Sequence, residues 1–278
     1  MSAPSAAQPA ASGRRLRRSS GDPLERLVSG TGAMALAEIR KLSHDHVDVF
    51  TRSIQPLLWL FLFGSAMRHN RSLMVGTTDY RVYLAPGVMA QAAMFIAIFY
   101  GLAVIWERDV GQLQRLLATP LPRAAIVLGK AVGACVRAFV QAVLLLAVLA
   151  IAGIALRWSV AGVLGALAIL MLGTAGFACM SMLLAAVVKD RERFMGIGQL
   201  ITMPLFFASS ALYPLAIMPA WLRTLARVNP LTYEVQGLRQ MLSGVGAHGE
   251  LWLDFVVVAG FSTATLLAAT RTYPKAIL

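Results

Sequence analysis

The sequence contains few charged residues for its length. Only 14% of its 278 residues are Asp, Glu, Lys or Arg, whereas ordinary soluble domains carry roughly 25%. Hydrophobic residues make up 58% of the chain, and the mean hydropathy is +0.69. This composition argues against a soluble enzyme and indicates a protein embedded in a lipid bilayer.

Long stretches of the chain contain no charged residue at all. A helix crosses the roughly 30 Å of bilayer hydrocarbon with about 20 mainly apolar residues. Two of the stretches are slightly short, but flanking residues can extend them, because long charged side chains reach back to the headgroups. The pattern predicts an all-α integral membrane protein with six transmembrane helices, at about residues 53–67, 82–106, 131–156, 159–188, 194–213 and 251–270.

Several kinds of catalytic machinery are missing. The two cysteines, Cys135 and Cys179, both fall in predicted spans and imply no disulfide scaffold. No phosphate-binding loop exists, because Ala131 follows Gly129-Lys130, so ATP hydrolysis by that route is excluded. All four histidines lie outside the predicted spans, which leaves no histidine base or metal ligand at bilayer depth. We therefore predict neither a catalytic nor a metal site.

Acidic residues are equally scarce within the predicted spans, where Asp254 near one end of the last span is the exception. Proton- and ion-coupled carriers generally need such groups at bilayer depth. A carrier powered by its own ion gradient is therefore disfavoured, and the energy for transport is expected to come from elsewhere.

The basic residues are unevenly distributed, and their distribution explains the net charge of +12 better than nucleic-acid binding does. They concentrate before the first predicted span, in the loops at 107–130 and 189–193, and in the C-terminal tail. Loops rich in Lys and Arg remain in the cytoplasm. The pattern predicts a multi-pass protein of the plasma (inner) membrane with both termini cytoplasmic, and no nucleic-acid partner.

The N-terminal region divides into two parts. Residues 1–32 are predicted to be a disordered basic cytoplasmic tail, ahead of a transmembrane domain over 33–278. Residues 33–52 place Leu36 and Ile39 near one helical face, which is typical of an amphipathic helix at the inner membrane surface. An ordinary extension of the first span is the alternative.

The loop at 107–123, E-R-D-V-G-Q-L-Q-R-L-L-A-T-P-L-P-R, is the most informative segment. Leu113, Leu116 and Leu117 form an i, i+3, i+4 ridge, and Thr119-Pro120 ends it. A short amphipathic helix of this kind suits a groove on a soluble partner. The alternative is a helix resting on lipid headgroups.

These residues carry a family resemblance. The loop resembles the E-R-E-x-G-T-L-E-x-L-L-x-T-P-L signature of type-2 ATP-binding-cassette exporter permeases, a family that includes daunorubicin-type drug exporters and polysaccharide exporters. This sequence departs from the signature at Asp109, Gln112 and Gln114, which makes the contact with a partner less acidic. The matching positions are Glu107, Arg108, Gly111, Leu113, Leu116, Leu117, Thr119, Pro120 and Leu121.

A second resemblance lies between the fifth and sixth predicted spans, where the chain is too polar and too often interrupted by proline to form a full span. The family's P-x-x-x-x-P-x-W-L and N-P-L-T-Y segments are similar to residues 214–222 and 229–233. Short extracellular re-entrant helices are therefore predicted before span six. The residues that carry this motif are Pro214, Pro219, Trp221, Asn229, Pro230 and Arg239.

The resemblance implies a permease dimer, homodimeric or heterodimeric, bound to two separate ATPase subunits that hold ATP and Mg²⁺. The chain itself would bind no cofactor. The 107–123 helix would be the coupling helix. Glu107 could pair with neighbours such as Arg108 or with the partner, and we assign this ion pair an orienting role, because an isolated exposed pair contributes little free energy. The residues implied in ATPase coupling are Glu107, Arg108, Asp109, Gly111, Leu113, Arg115, Leu116, Leu117, Thr119 and Pro120.

The substrate is the least determined part of the prediction. Arg137 either extends to the inner headgroups or contacts an anionic lipid-like or substrate group. Phe95, Phe99 and Phe206 either line an apolar path or face lipid. A hydrophobic or amphipathic substrate, drug or lipid-like, is preferred over sugars because the spans contain few polar side chains. A polysaccharide or glycolipid exporter and a non-transporting membrane scaffold remain the alternatives.

Overall fold

The computed structural model describes residues 23–42, 46–67, 79–111, 122–188, 190–244 and 250–272. All regular secondary structure in these ranges is helical. The main helices are α1 (Pro23–Leu42), α2 (His46–Leu58), α3 (Tyr80–Asp109), α4 (Arg123–Ile151), α5 (Val160–Val187), α6 (Arg191–Phe207), α7 (Ala220–Val228), α8 (Pro230–Leu242) and α9 (Leu251–Thr272).

Four helices of the described part are long and apolar enough to cross a bilayer. They comprise α3, α5, α9 and the segment Ala124–Ile151 of α4. They match the second, third, fourth and sixth predicted spans, although α4 begins before residue 131. Within the described ranges, these helices confirm an all-helical fold with several helices apolar enough to span a membrane.

The other two predicted spans take a different form. The first continues α2 through a π-helical turn at Trp59–Phe63 and a short helical turn at Gly64–Ala66. The fifth corresponds to α6, which is 17 residues long, contains Pro204 and ends at Phe207. Because α2 and α6 are shorter than the other four helices, the six-span topology stays a prediction.

The predicted boundary of the N-terminal tail was wrong. Helix α1 begins at Pro23 and not at residue 33, so the last part of the predicted tail is helical. The amphipathic helix expected over 33–52 is also divided between α1 and α2. Leu36 and Ile39 remain exposed on α1, which leaves this apolar face available for a membrane surface.

Helix α1 packs closely on α4 because two glycines make room for it. A Cβ on Gly129 would collide with the Met34 side chain, and a Cβ on Gly133 would lie 2.8 Å from Glu38 Cβ. These glycines form a G-x-x-x-G pair, which brings helices into close contact. The pair places the N-terminal helix beside the start of α4.

Helix α5 lies at the centre of the bundle, packed against α3, α4, α8 and α9. The short helix α8 runs antiparallel along the first half of α5. Gly162 lies 2.7 Å, measured from a hypothetical Cβ, from the Met241 carbonyl oxygen, and Gly173 meets the Glu234 carboxyl group. Helix α8 is thus enclosed by longer helices, but its re-entrant placement in a membrane stays a prediction.

Candidate functional site

The predicted coupling segment is described only at its two ends. Glu107, Arg108 and Asp109 form the last turn of α3, and Gly111 follows with a positive φ of 71° that favours glycine. Residues 112–121 lie outside the described residues, so the predicted amphipathic helix is not tested there. This applies to Leu113, Arg115, Leu116, Leu117, Thr119 and Pro120.

A buried cluster of charges joins the two helices that flank this segment. Lys130 Nζ in α4 donates a hydrogen bond to Glu107 Oε2 in α3 and lies 4.0 Å from Glu38 Oε1 in α1. Lys130 is only 1% exposed. The exposed, weak ion pair expected for Glu107 was therefore wrong, because its partner is a buried lysine on the next helix.

Because this cluster is buried, the stability of the protein depends on how its charges are paired. Charges taken out of water are costly unless they are paired in good geometry, and removing one partner of a buried pair typically costs about 3–5 kcal/mol. Glu107 lies at the start of the coupling segment, in the last turn of α3, and Lys130 lies in α4, shortly after the end of the segment. Their pairing holds the ends of α3 and α4 together where the coupling segment is attached.

A second contact ties α6 to the same end of α3. Arg191 Nε donates to Asp109 Oδ2 at 2.9 Å, and the Arg191 guanidinium carbon lies 4.2 Å from the centroid of the Trp106 ring. Both charged side chains are partly exposed, so the pair contributes little free energy. It nevertheless places the start of α6 beside the coupling segment.

The predicted outer motif is built around Asn229. Its side-chain oxygen accepts from Leu231 N at 3.0 Å and begins α8, while Pro230 occupies the first helical turn. Its Nδ2 donates to the carbonyl oxygens of Leu205 at 2.6 Å and Ala208 at 3.0 Å. One asparagine thus fixes the start of α8 against the end of α6.

Arg239, the last residue of this motif, is almost fully buried. Its Nη2 donates to the carbonyl oxygens of Ser210 at 2.9 Å and Tyr83 at 3.3 Å, and its guanidinium carbon lies 3.7 Å from the Tyr83 ring centroid. A planar guanidinium can form hydrogen bonds and stack at the same time. Arg239 therefore links α8, α3 and the turn after α6.

The rest of the outer motif lies nearer the surface. Pro214 precedes a 3₁₀ turn at Leu215–Ile217, and Pro219 precedes α7. Trp221 is 67% exposed, a position suited to a membrane interface.

A cavity of about 260 Å³ opens between α2, α3, α4 and α6. Phe95 and Phe99, two of the predicted substrate contacts, line it with their rings stacked at 6.0 Å and nearly parallel. Its polar lining consists of Arg52, Gln55, Gln91, Gln141 and Gln199. This cavity is the strongest candidate for a substrate site in the described part of the chain.

The other two predicted substrate contacts lie elsewhere. Phe206 is buried in the core, where its ring centroid lies 6.4 Å from that of Trp59. The Arg137 guanidinium carbon lies 5.9 Å from the Tyr100 ring centroid, and Tyr100 lies beside Glu38 near Gly133. Neither residue lines the cavity that holds Phe95 and Phe99.

Sequence reasoning missed two groups of residues. The spans were predicted from stretches without charged residues, and that property does not reveal the uncharged glutamines within them. The spacing of Gln91, Phe95 and Phe99, at i, i+4 and i+8 on one helix face, is a signal that could have indicated this site. Sequence reasoning also gave no role to Glu234. Glu234 is fully enclosed against Gly173, in the middle of α5, with no hydrogen-bond partner for either carboxyl oxygen.

Comparison with known proteins agrees with the two motifs. Residues 30–242 match the family model described as ABC-2 type transporter. This match covers most of the chain and both motif segments, so the chain belongs to the ABC-2 type transporter family.

Relatives from several kinds of organism are similar to this chain. The ycf38 protein of Pyropia yezoensis, whose name describes a transport permease, is 32% identical over 69% of this chain and 66% of its own length. The daunorubicin resistance ABC transporter permease protein DrrB1 of Streptomyces coeruleorubidus is 22% identical over 88% and 86%. Nodulation protein J of Rhizobium leguminosarum bv. trifolii is 28% identical over 77% and 82%. The chain thus spans about two thirds of the ycf38 relative.

Proposed function

We propose that this chain is the transmembrane permease subunit of an exporter, and that it moves a hydrophobic or amphipathic molecule outward using ATP hydrolysed by a separate subunit. Family membership supports the transporter class. The observation that carries the coupling role is the buried Glu38–Lys130–Glu107 cluster, which joins three helices at the base of the predicted coupling segment.

The proposed mechanism is mechanical. Two ATPase subunits close on binding ATP with Mg²⁺ and push on the 107–123 segment of each permease copy. Because Glu107 and Lys130 hold α3 and α4 together, displacement of the segment moves both helices as a unit. ATP can bias the permease between two states only if the partner contacts the segment differently in each state.

The proposed assembly contains two permease copies and two ATPase subunits in the plasma membrane. The exposed Leu36 and Ile39 on α1 would rest on the inner membrane surface near the ATPase. The name of the DrrB1 relative favours export of drug-like amphipathic molecules as the first substrate to test.

The test uses inverted membrane vesicles that contain the chain and its cognate ATPase, with daunorubicin as the probe. A Leu116→Asp/Leu117→Asp double variant should lose ATP-dependent accumulation and should no longer co-purify with the ATPase. A Val228→Asp variant at the end of α7, where the side chain is 80% exposed and predicted to lie on the opposite side of the membrane, serves as the control and should keep both properties.

Two outcomes would contradict the proposal. Unchanged ATP-dependent accumulation in the double variant would show that the segment does not couple the subunits. Binding of the ATPase by a wild-type chain that supports no ATP-dependent transport of any amphipathic probe would favour the scaffold alternative.

A further inference from the structure

We infer that the cavity between α2, α3, α4 and α6 binds the hydroxyl-rich headgroup of an amphipathic molecule, such as the sugar of a glycosylated lipid. This inference rests on the proposed export function and names the polar chemistry of its substrate. It also revises the expectation that sugars are disfavoured, which assumed that the spans offer few polar side chains.

Glutamine is the most frequent polar residue in the lining of the cavity. Four of its polar side chains are glutamines, contributed by four different helices: Gln55 by α2, Gln91 by α3, Gln141 by α4 and Gln199 by α6. A carboxamide donates two hydrogen bonds and accepts others, without a charge. Hydroxyl groups also donate and accept, so they are the matching ligand groups.

Gln91 supplies the most direct indication of a ligand. It is 4% exposed, and its Oε1 has no hydrogen-bond partner in the structure, although the side chain lines the cavity. A buried acceptor without a partner costs free energy. A ligand hydroxyl donating to this oxygen would remove that cost, whereas an alkyl chain would not.

The aromatic wall supplies the complementary surface. Phe95 and Phe99 lie one and two helical turns beyond Gln91 on α3, and their rings are inclined by only 8° to one another. They are half-buried, and both line the cavity. A sugar ring presents C–H groups on its faces and hydroxyls at its edge, which suits an apolar wall beside amides.

The size of the cavity favours a headgroup over a whole molecule. Its volume of about 260 Å³ lies just below the range of roughly 300–1,000 Å³ typical of sites that enclose a drug-sized ligand. Acyl chains would therefore remain in the surrounding lipid.

A second cavity illustrates the contrast. It has a similar volume, about 300 Å³, and its lining is aliphatic apart from Ser181, with Ile98, Leu183, Leu184 and Ile201 among its residues. A site for a purely apolar ligand would be expected to resemble this second cavity. The glutamine-lined cavity differs in its chemistry and not in its size.

The test measures ATP-independent binding to the full-length chain in phospholipid nanodiscs. A photoreactive diacylglycerol with one hexose headgroup is crosslinked to the protein and competed with unlabelled hexosyl diacylglycerol, plain diacylglycerol or phosphatidic acid. The hexosyl lipid should compete at least about tenfold better than the other two, which corresponds to about 1.4 kcal/mol.

Variants then locate the binding. Gln91→Leu and Gln199→Leu should each weaken competition by the hexosyl lipid about tenfold. Thr263→Val, which removes a polar group from an exposed position on α9, should leave it unchanged. Gln91→Leu should keep or raise the thermal midpoint of unfolding, because it removes an unpartnered acceptor, so a loss of binding cannot be ascribed to misfolding.

The other outcomes overturn the inference. Equal competition by plain diacylglycerol would show that hydroxyls are not recognised, and preferred binding of phosphatidic acid, lost in Arg52→Gln, would show an anion site. Because the assay uses no ATP, either result would leave the proposed export function standing. Failure of the Leu116→Asp/Leu117→Asp test, with hexosyl binding intact, would instead show that the binding site is real and the coupling proposal is wrong.

Discussion

At the scale of single residues, Lys130 is a buried cation that connects three helices. It is buried between two carboxylates that belong to different helices. A lone surface pair of the same groups would contribute about 0–1 kcal/mol. The difference comes from burial, because an unpaired charge cannot be hydrated there.

We therefore expect Lys130→Met to destabilise the protein by about 3–5 kcal/mol, since it leaves Glu38 and Glu107 without their cation. The measurement is the midpoint of thermal unfolding of the purified protein. Arg191→Met, which removes a partly exposed pair with Asp109, is the matched control and should change stability by less than about 1 kcal/mol. Equal effects of the two variants would contradict the importance of burial.

Glu234 is the opposite case, a buried carboxyl group without a partner. Burial raises its pKa well above the ordinary value of 4.5. A raised pKa in the folded state makes the wild-type protein relatively stable below pH 4.5, and that advantage is lost as the pH rises through the raised value. The neutral, protonated form is the one that the fold tolerates.

The corresponding prediction concerns Glu234→Met. The variant should be more stable than the wild type. The difference in stability, the margin, should widen from pH 5 to pH 8, because ionisation of the exposed Glu234 carboxyl group favours the unfolded state of the wild type. Thermal midpoints of both proteins across this pH range provide the measurement. Thr263→Met, at an exposed residue that does not titrate, should show a constant margin, and a constant margin for Glu234→Met would contradict the prediction.

At the scale of elements, several helix contacts depend on glycine. Gly87 in α3 lies directly against the turn that follows α6, where a Cβ would be 2.8 Å from the Cα of Ala211. Backbone atoms of a turn that is itself held by Arg239 and Tyr80 cannot easily yield. Helix α3 and this turn therefore form one rigid contact.

Gly87→Ala should consequently destabilise the protein by about 1–3 kcal/mol through overpacking. Gly260→Ala on α9 is the control, because no atom lies within 4 Å of its added Cβ. In the interior of a helix, the control should be neutral or should stabilise by up to about 1 kcal/mol. Thermal unfolding of both variants tests the difference, and a neutral Gly87→Ala would mean that the turn moves freely.

At the scale of the whole molecule, the membrane topology is the property most open to a direct test. Both termini are predicted to be cytoplasmic, which places α7 outside and the start of α6 inside. In a Cys135→Ser/Cys179→Ser background, we expect an impermeant maleimide to label Val228→Cys in intact cells. Arg193→Cys should react only after permeabilisation. The opposite labelling pattern would invert the topology, and labelling of both positions in intact cells would place them on the same side, so that α6 would not cross the membrane.

Much of the molecule could be predicted from the sequence because hydrophobicity and charge are local properties. The helices near residues 82–106, 159–188 and 251–270 coincide closely with α3, α5 and α9. The two motifs were sufficient to indicate the family. The short helices α7 and α8 could also be anticipated, because Pro219 and Asn229-Pro230 mark their beginnings.

Pairwise relations between distant residues could not be predicted in the same way. Nothing in the spacing of Glu38, Glu107 and Lys130 shows that they meet, because their contact depends on how α1, α3 and α4 pack. The glutamines of the cavity are similarly dispersed over four helices. The helix start at Pro23 was missed because Gly30 and Gly32 are poor helix formers, and packing of α1 on α4 outweighs that local preference.

The amino-acid sequence alone thus determined that the chain is helical, apolar and related to exporter permeases, since these properties follow from local runs and motifs. The tertiary structure alone decided which polar groups share an enclosed space. Hydrogen bonds and ion pairs act over a few ångströms, and only the packing of the helices brings residues from separate parts of the chain within that distance.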